Sequence, residues 1–546
     1  VSFLALFIRF PLNGLLPGNV DTVLGIALSN LLAESIRLFF TGGGGPLIFY
    51  PVESFMPYGE NCVGLGILYS TLKVFARGDF WAYYLFLSIL FTGSAVGVYK
   101  LASLFVEDTR VAVLAGVAFT LAGFTLANID DSNVVFMFFP AMAFYFLERG
   151  RREARPGLIH LGLIFSGLQI WFGFYIFVFQ ALAVALYFVT NARSLWPLLK
   201  GRHLARTFLA YLLPALPLIC LYLYYHFAVE PVSPYATYNE YIRQIGSLNW
   251  YHFWNVLPDV VVHSTKSNIY EAIDASVPSR LRKSCFPGFT FTVFTFLGVL
   301  AAARKHLWLA VVFGVFFALS FGVNLPLFET IARTPFGNYM RIPLRFHLFS
   351  LMIATIFYAV GVESRLGKWK KRGELATIIA IVGVGAVYVL ENTPFPLRGF
   401  DFSKTLTPSK AYVEFIRSED RKVVLDLPST FQEVSPDAAD LFFYNREALY
   451  MNWQTYHGQP IAGGVNAYLP QSRVDLDRVT SRIPEPETFP VLNRLGIRYI
   501  AFHKHMILAP SEDRLDALKT STCLKQEFED ADVAVFSVSC IKGESE

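Results

Sequence analysis

The chain has 546 residues, of which 54% are hydrophobic, 16% aromatic and only 16% charged. A soluble globular chain carries roughly 25% charged residues, so this composition excludes a disordered chain, a coiled coil and a nucleic-acid-binding protein. The formal net charge of +4 hides a break near Glu391-Asn392-Thr393-Pro394: residues 1–391 hold 29 Lys+Arg and 20 Asp+Glu, net +9, and residues 392–546 hold 17 and 22, net −5.

A spanning helix needs about 20 mainly apolar residues to cross a hydrocarbon core of ~30 Å. Residues 1–16 read as the end of one span. Further spans are predicted near 81–106, 110–127, 134–148, 157–171, 173–190, 206–228, 286–303, 307–323, 343–361 and 375–391. The segment from Asn61 to Ala76 is apolar but runs only about 16 residues and carries Lys73, so it is expected to be interfacial or re-entrant. The apolar stretch 157–190 is broken at Trp171-Phe172-Gly173, which predicts a tight hairpin of two helices. The fold class expected is an α-helical polytopic membrane protein with about 11 transmembrane helices.

Lys and Arg in short loops set orientation. Arg149, Arg151, Arg152 and Arg155 form one basic loop, and Arg193, Lys200, Arg202 and Arg206 a second. Arg304 and Lys305 form a third, and Arg365, Lys368, Lys370, Lys371 and Arg372 a fourth. All four are expected on the cytoplasmic side of the inner membrane. The outer loops are then 17–80, 128–133, 229–285 and 324–342, with the C-terminal tail also outside.

Residues 1–391 are thus expected to form one membrane domain, and 392–546 a small extracytoplasmic α/β domain. In the tail, Ala411 to Ser418 reads as a helix and Lys422 to Leu427 as a buried strand. Phe489 to Leu495 reads as a helix ending at Gly496, followed by a strand from Ile497 to Phe502. Cys523 to Cys540 reads as two strands around Asp530-Ala531-Asp532. The two cysteines are nearly symmetric about that turn. Outside the cytoplasm they can bridge the hairpin; two unpaired small residues are the alternative.

Carboxylates gather in the outer loops. Asp21 follows the first span, Glu53 and Glu60 follow in the same loop, and Asp130 and Asp131 sit together between two later spans. Acids brought to the membrane surface can form a general base or a divalent-cation site. The plainer alternative is acids merely populating outer loops. Arg341 and Arg345 are four apart at the outer entry of a span, a spacing suited to phosphate recognition or to interfacial snorkelling. The loop 229–285 is rich in Tyr, Trp, His and Asn, and is long enough to act as a lid. In the tail, Trp453, Tyr456 and His457 precede Gly463-Gly464, as an acceptor-binding cluster or as a turn closing the domain. No zinc-type spacing, P-loop or dinucleotide fingerprint occurs.

These pieces resemble a family. Gly18-Asn19-Val20-Asp21, Tyr50-Pro51 with Gly59-Glu60, Arg341-Ile342-Pro343-Leu344-Arg345-Phe346, and Tyr456-His457-Gly458-Gln459-Pro460-Ile461-Ala462-Gly463-Gly464 look like the GT-C superfamily. Its members are membrane glycosyltransferases using polyprenyl-phosphate-linked sugars; the closer likeness is to bacterial YfhO-like GT-C proteins of the cell envelope. The resemblance implies Asp21 as the acceptor-activating base, with Glu60 beside it in the first loop. It implies Asp130 or Asp131 as the second-loop acid, with a divalent cation as the expected cofactor. Arg341 and Arg345 would hold the donor phosphate. Asp21 stands alone, whereas many members carry an acidic pair in the first loop. Two other functions fit the composition. A lipid-linked saccharide transporter would need ionisable groups at mid-membrane and often internal repeats, whereas Lys100 lies near a span end. A non-catalytic subunit of a membrane complex would explain the lone Asp21.

Overall fold

The computed structural model describes residues 15–17, 26–32, 34, 48, 62–76, 79–129, 131–228, 287–325, 328, 330, 342–392, 399–401, 408–418, 422–429, 436–464, 470–504 and 512–540. The chain divides into two compact units. One comprises Val1–Leu12, Tyr84–Cys220 and Tyr235–Leu397; the other comprises Asn13–Tyr83, Leu221–Pro234 and Arg398–Glu546.

The first unit is helical, and each span predicted from residue 81 onward contains a helix. Among the described residues, four helices are long and apolar enough to cross a membrane: Trp81–Ala102, His203–Leu221, Pro343–Gly367 and Glu374–Asn392. A fifth arises if Phe174–Thr190 and Ala192–Leu199, which bend by 94°, count as one broken span. Thr109–Leu121, Pro156–Trp171, Phe289–Ala302 and Leu307–Ser320 are shorter apolar helices. The Pro343–Gly367 segment is 89% buried and forms the centre of the unit, whereas Glu374–Asn392 is 17% buried and presents its apolar side outward. Close packing on the central helix uses glycine. A Cβ at Gly298 would collide with the Phe357 carbonyl, and one at Gly361 with that of Phe294, so two backbones touch as small residues allow in membranes. The break expected near Trp171-Phe172-Gly173 is present. Gly173 ends it, and a Cβ there would meet the Asn133 carbonyl oxygen at 2.6 Å.

Charge is sorted between the ends of this unit. At one end, Arg152 donates to the Leu104 carbonyl and its guanidinium lies 4.8 Å from the Phe105 ring centre. Phe105 in turn meets His306 at 4.9 Å. The Glu363 carboxylate accepts the backbone N–H of Glu107 at 3.0 Å and of Asp108 at 2.8 Å, and Arg110 pairs with Glu374 at 3.3 Å. His203 stacks on His160 at 5.9 Å, one turn beyond Pro156. All four basic loops therefore meet at one end. There the fully buried Glu148 accepts from Arg151 and Arg152, each at 2.7 Å, and from the Tyr187 hydroxyl at 3.2 Å. At the other end, Glu391 accepts from Thr290 N–H at 2.9 Å and Asn392 donates to the Pro287 carbonyl at 2.9 Å. Phe124 packs edge-on against His347 at 5.1 Å there.

The second unit joins the early segment to the tail. Strand β1 (Leu15–Pro17) pairs antiparallel with β2 (Gly399–Asp401). The helix Val63–Phe75 has 13 residues, roughly 20 Å at 1.5 Å per residue, short of the bilayer core. It lies against helical residues 26–32 through Gly66, where a Cβ would strike Leu32. Lys73 donates to Asn30 at 2.9 Å and Asn30 donates to Asn452 at 3.3 Å. β1, residues 26–32 and helix Val63–Phe75 thus belong to one unit with the tail.

Four more strands follow: β3 (Val423–Leu427), β4 (Ile497–His503), β5 (Leu524–Glu529) and β6 (Val533–Val538), in the order β3-β4-β6-β5. β3 and β4 are parallel, and the remaining pairs are antiparallel. The β3-to-β4 connection carries helices Pro436–His457, Gln471–Thr480 and Phe489–Arg494, the helical crossover that parallel strands require. Gly496, at φ +69°, ends the last of these, as its position after Leu495 predicts. All five residues of β3 are buried. Leu425, Ile500, Phe502, Ala534 and Phe536 form the core.

Cys523 and Cys540 are disulfide-bonded across the β5–β6 hairpin, with a sequence separation of 17. Closing a loop of this size limits the unfolded chain by about 3 kcal/mol. Replacing both cysteines with serine should lower the unfolding free energy of the tail by about that amount. Intact mass should fall by about two units without reductant relative to reduced protein, since the bridge removes two hydrogens.

Candidate functional site

At the end of the helical unit opposite the basic loops, two elements distant in sequence meet. Asp131 heads the short helix Ser132–Val135, and its carbonyl accepts the N–H groups of Val134 at 2.9 Å and Val135 at 3.1 Å. Arg345 lies in the 3-10 turn Pro343–Phe346 that leads into helix His347–Lys370. Pro343 fixes the start of that turn, where a missing N–H costs nothing. Leu344 and Phe346 on either side of Arg345 are buried, and Phe346 stacks on Phe179 at 4.0 Å. Anchored in this way, Arg345 Nη2 donates to Asp131 Oδ2 at 3.1 Å. The two side chains are 12% and 14% exposed. The guanidinium carbon also lies 5.1 Å from the ring centre of Tyr175, at the start of helix Phe174–Thr190. Both charges are largely out of water, so each depends on its counter-charge.

Two predicted site residues, Asp131 and Arg345, are thus brought together. Asp21, Glu60, Asp130 and Arg341 lie outside the described residues, as do Glu53 and the loop 229–285. Among the described residues, no three His, Cys, Asp or Glu side chains gather to hold a metal ion.

Trp453, Tyr456 and His457 close the helix Pro436–His457 in the second unit. Trp453 and His457 are buried, and Tyr456 is half-buried. Trp453 packs on His503 at 4.8 Å, and His457 meets Tyr412 edge-on at 5.9 Å. Burial holds the His457 imidazole down to about 4 from its usual 6.5. The neutral ring fits its bonding, because Nδ1 accepts the N–H of Gln459 at 3.1 Å.

Two further polar groups were not predicted. His503 Nε2 bonds Asp426 Oδ1 at 2.8 Å across the parallel strands, with both side chains buried. Nearby, fully buried Arg473 donates to Ser429 Oγ at 2.9 Å and to Glu447 at 3.1 Å, and it meets Asp477 at 2.9 Å. Asp426 was visible only as the one polar residue in an apolar strand. Tyr175 carried no sequence signal, because it is one aromatic among many in an aromatic helix.

No protein-family model matches the sequence, and no curated protein matches it. Solved structures do match the fold. The arabinofuranosyltransferase AftD from Mycobacteria aligns with a TM-score of 0.57 at 15% identity, over 99% of this chain and 41% of that one. This chain therefore spans about two fifths of the length of that enzyme. ArnT from Cupriavidus metallidurans in the apo state aligns with a TM-score of 0.52 at 12% identity, over 100% of this chain and 98% of that one. ArnT bound to undecaprenyl phosphate aligns with the same TM-score of 0.52. At these identities the likeness is one of fold: the chain has the fold of the GT-C glycosyltransferases.

Asp131→Asn should destabilise the helical unit by roughly 2 kcal/mol, because it removes the charged acceptor from a nearly buried guanidinium. Combining it with Arg345→Gln should cost less than the sum of the two single changes; additive shifts in thermal melting would contradict the pairing. His457 has a folded value below its unfolded one, so stability should fall as pH drops below 6.5 and level off below about 4. The loss should be about 3 kcal/mol, and His457→Gln should flatten that limb of the pH–melting curve.

Proposed function

We propose that this chain, with its GT-C fold, is a membrane glycosyltransferase. It moves a sugar from a polyprenyl-phosphate donor to an acceptor at the outer face of the bacterial cytoplasmic membrane. The observation that carries the reading is the Asp131–Arg345 pair at the end of the helical unit opposite all four basic loops. Basic loops face the cytoplasm, so that end faces outward. ArnT, of similar fold, is recorded with undecaprenyl phosphate bound, and AftD is named a glycosyl transferase of arabinofuranose; both support this substrate class.

The chemistry asked of the site is modest. The bond from the anomeric carbon to the donor phosphate oxygen breaks, and its electron pair leaves on the phosphate. The acceptor hydroxyl oxygen bonds the anomeric carbon and gives up its proton. In this reading Arg345, with Arg341 one turn away in sequence, neutralises the phosphate with planar donors. Asp21 receives the acceptor proton, with Glu60 and Asp130 as further candidate acids from the sequence. Asp131 orients Arg345. A divalent cation held by Asp130 and Asp131 would share the work of neutralising phosphate with that arginine. A site at the membrane surface leaves the polyprenyl chain in lipid while the reacting groups are held in register.

The test is transfer by membranes containing the whole chain, read as release of polyprenyl phosphate and as the glycan profile of the cell. Asp21→Asn and Arg345→Gln should each lower transfer by about 100-fold or more. Unchanged product from both variants would refute the enzyme.

A further inference from the structure

Tyr175 and Asp131 approach Arg345 from a common junction. Tyr175 is the second residue of helix Phe174–Thr190, and Gly173 before it packs directly on the carbonyl of Asn133. Asn133 is in the short helix that Asp131 heads. The same close approach therefore sets the height of the ring and of the carboxylate. Arg345 comes from a turn pinned by Phe346 against Phe179, on the same helix as Tyr175, at 4.0 Å. Its guanidinium meets Asp131 Oδ2 at 3.1 Å on an edge and the Tyr175 ring at 5.1 Å. An arginine side chain is long, and its planar fork recognises phosphate only when its plane is set. A carboxylate at the edge constrains direction, and an aromatic ring nearby constrains the plane.

We propose that Tyr175 is a positioning residue for Arg345, acting on the donor phosphate through the guanidinium without touching the donor. This rests on the reading that Arg345 meets the phosphate. Tyr175 offers its ring for this purpose, so phenylalanine should replace it and an aliphatic residue should not.

The experiment is binding of undecaprenyl phosphate to the full chain in lipid nanodiscs, as a double-mutant cycle. Tyr175→Leu should weaken binding about threefold to tenfold, and Tyr175→Phe should stay within about twofold. In an Arg345→Gln background, Tyr175→Leu should change nothing further, because its route of action is gone. A purely structural role would weaken binding equally in both backgrounds, and that result overturns the proposal. Equal weakening by Tyr175→Phe and Tyr175→Leu also overturns it. Should Tyr175→Leu fail to fold, Tyr175→Gln takes its place in the same cycle. If Arg345→Gln alone leaves undecaprenyl phosphate binding unchanged, the phosphate reading of the site falls, and this inference with it. If Arg345→Gln weakens binding while Tyr175→Leu does not, the inference falls alone.

Discussion

The pairing of Asp131 with Arg345 is the interaction on which the rest of the structure turns. Two charges so little exposed carry a desolvation cost that their pairing helps to offset. The two come from elements more than two hundred residues apart in sequence. Their meeting requires helix Phe174–Thr190, the short helix Ser132–Val135 and the turn Pro343–Phe346 to end at one level. Close backbone approaches supply that alignment: Gly173 on Asn133, and Gly298 and Gly361 between the two most tightly packed helices. Charge at the opposite end obeys the same constraint. Glu148 is fully buried there, and two arginines and a tyrosine hydroxyl satisfy it. Among the described residues, buried charge at each end is met by partners close at hand, and the two ends differ chemically.

The second unit adds a constraint on sidedness. Pairing of β1 with β2 and the chain from Lys73 through Asn30 to Asn452 hold the early segment and the tail together. Helix Pro436–His457 supplies Asn452 and also Glu447, which Arg473 fixes over the end of β3 through Ser429. Gly464 N–H closes the network on Glu447 at 2.7 Å. Burial pushes the nearby Asp477 up to about 7 even with Arg473 beside it. A network this dry helps to set the position of the helix, since its members polarise and hold one another.

Much of this was legible in the sequence, where a single physical rule acts locally. Apolar length marked the helices, Gly173 marked the hairpin break, Gly496 marked a helix end, and the symmetry of Cys523 and Cys540 about a turn marked the bridge. The disulfide had an open alternative because residue spacing leaves side-chain direction undecided; the observed bond between Cys523 and Cys540 decides it. Tertiary pairings were not legible. Three-residue strands such as β1 and β2 give no periodicity, and they exist only because distant segments are brought side by side. The cluster Trp453, Tyr456 and His457 looked like a turn or a binding surface, yet it ends a long helix with two of the three side chains in the core. Sequence marked Asp131 and Arg345 individually, since charge next to a membrane is rare, but not their pairing with each other, and it missed the tyrosine, since aromatics there are common.

That asymmetry bears on how the acids divide their work. A general base must reach the proton it takes, within hydrogen-bonding distance or through one water. Asp131 already places Oδ2 on Arg345, and moving it toward an acceptor hydroxyl would abandon a nearly buried cation. Its geometry suits a group that sets the direction of the arginine. In the proposed reaction the proton therefore goes to another acid, one that can leave the arginine undisturbed. The proposed base, Asp21, lies four residues beyond β1 in the sequence. One acid to hold the cation and another to take the proton is a division that a single shared carboxylate could not perform, because the two tasks need it in two places at once.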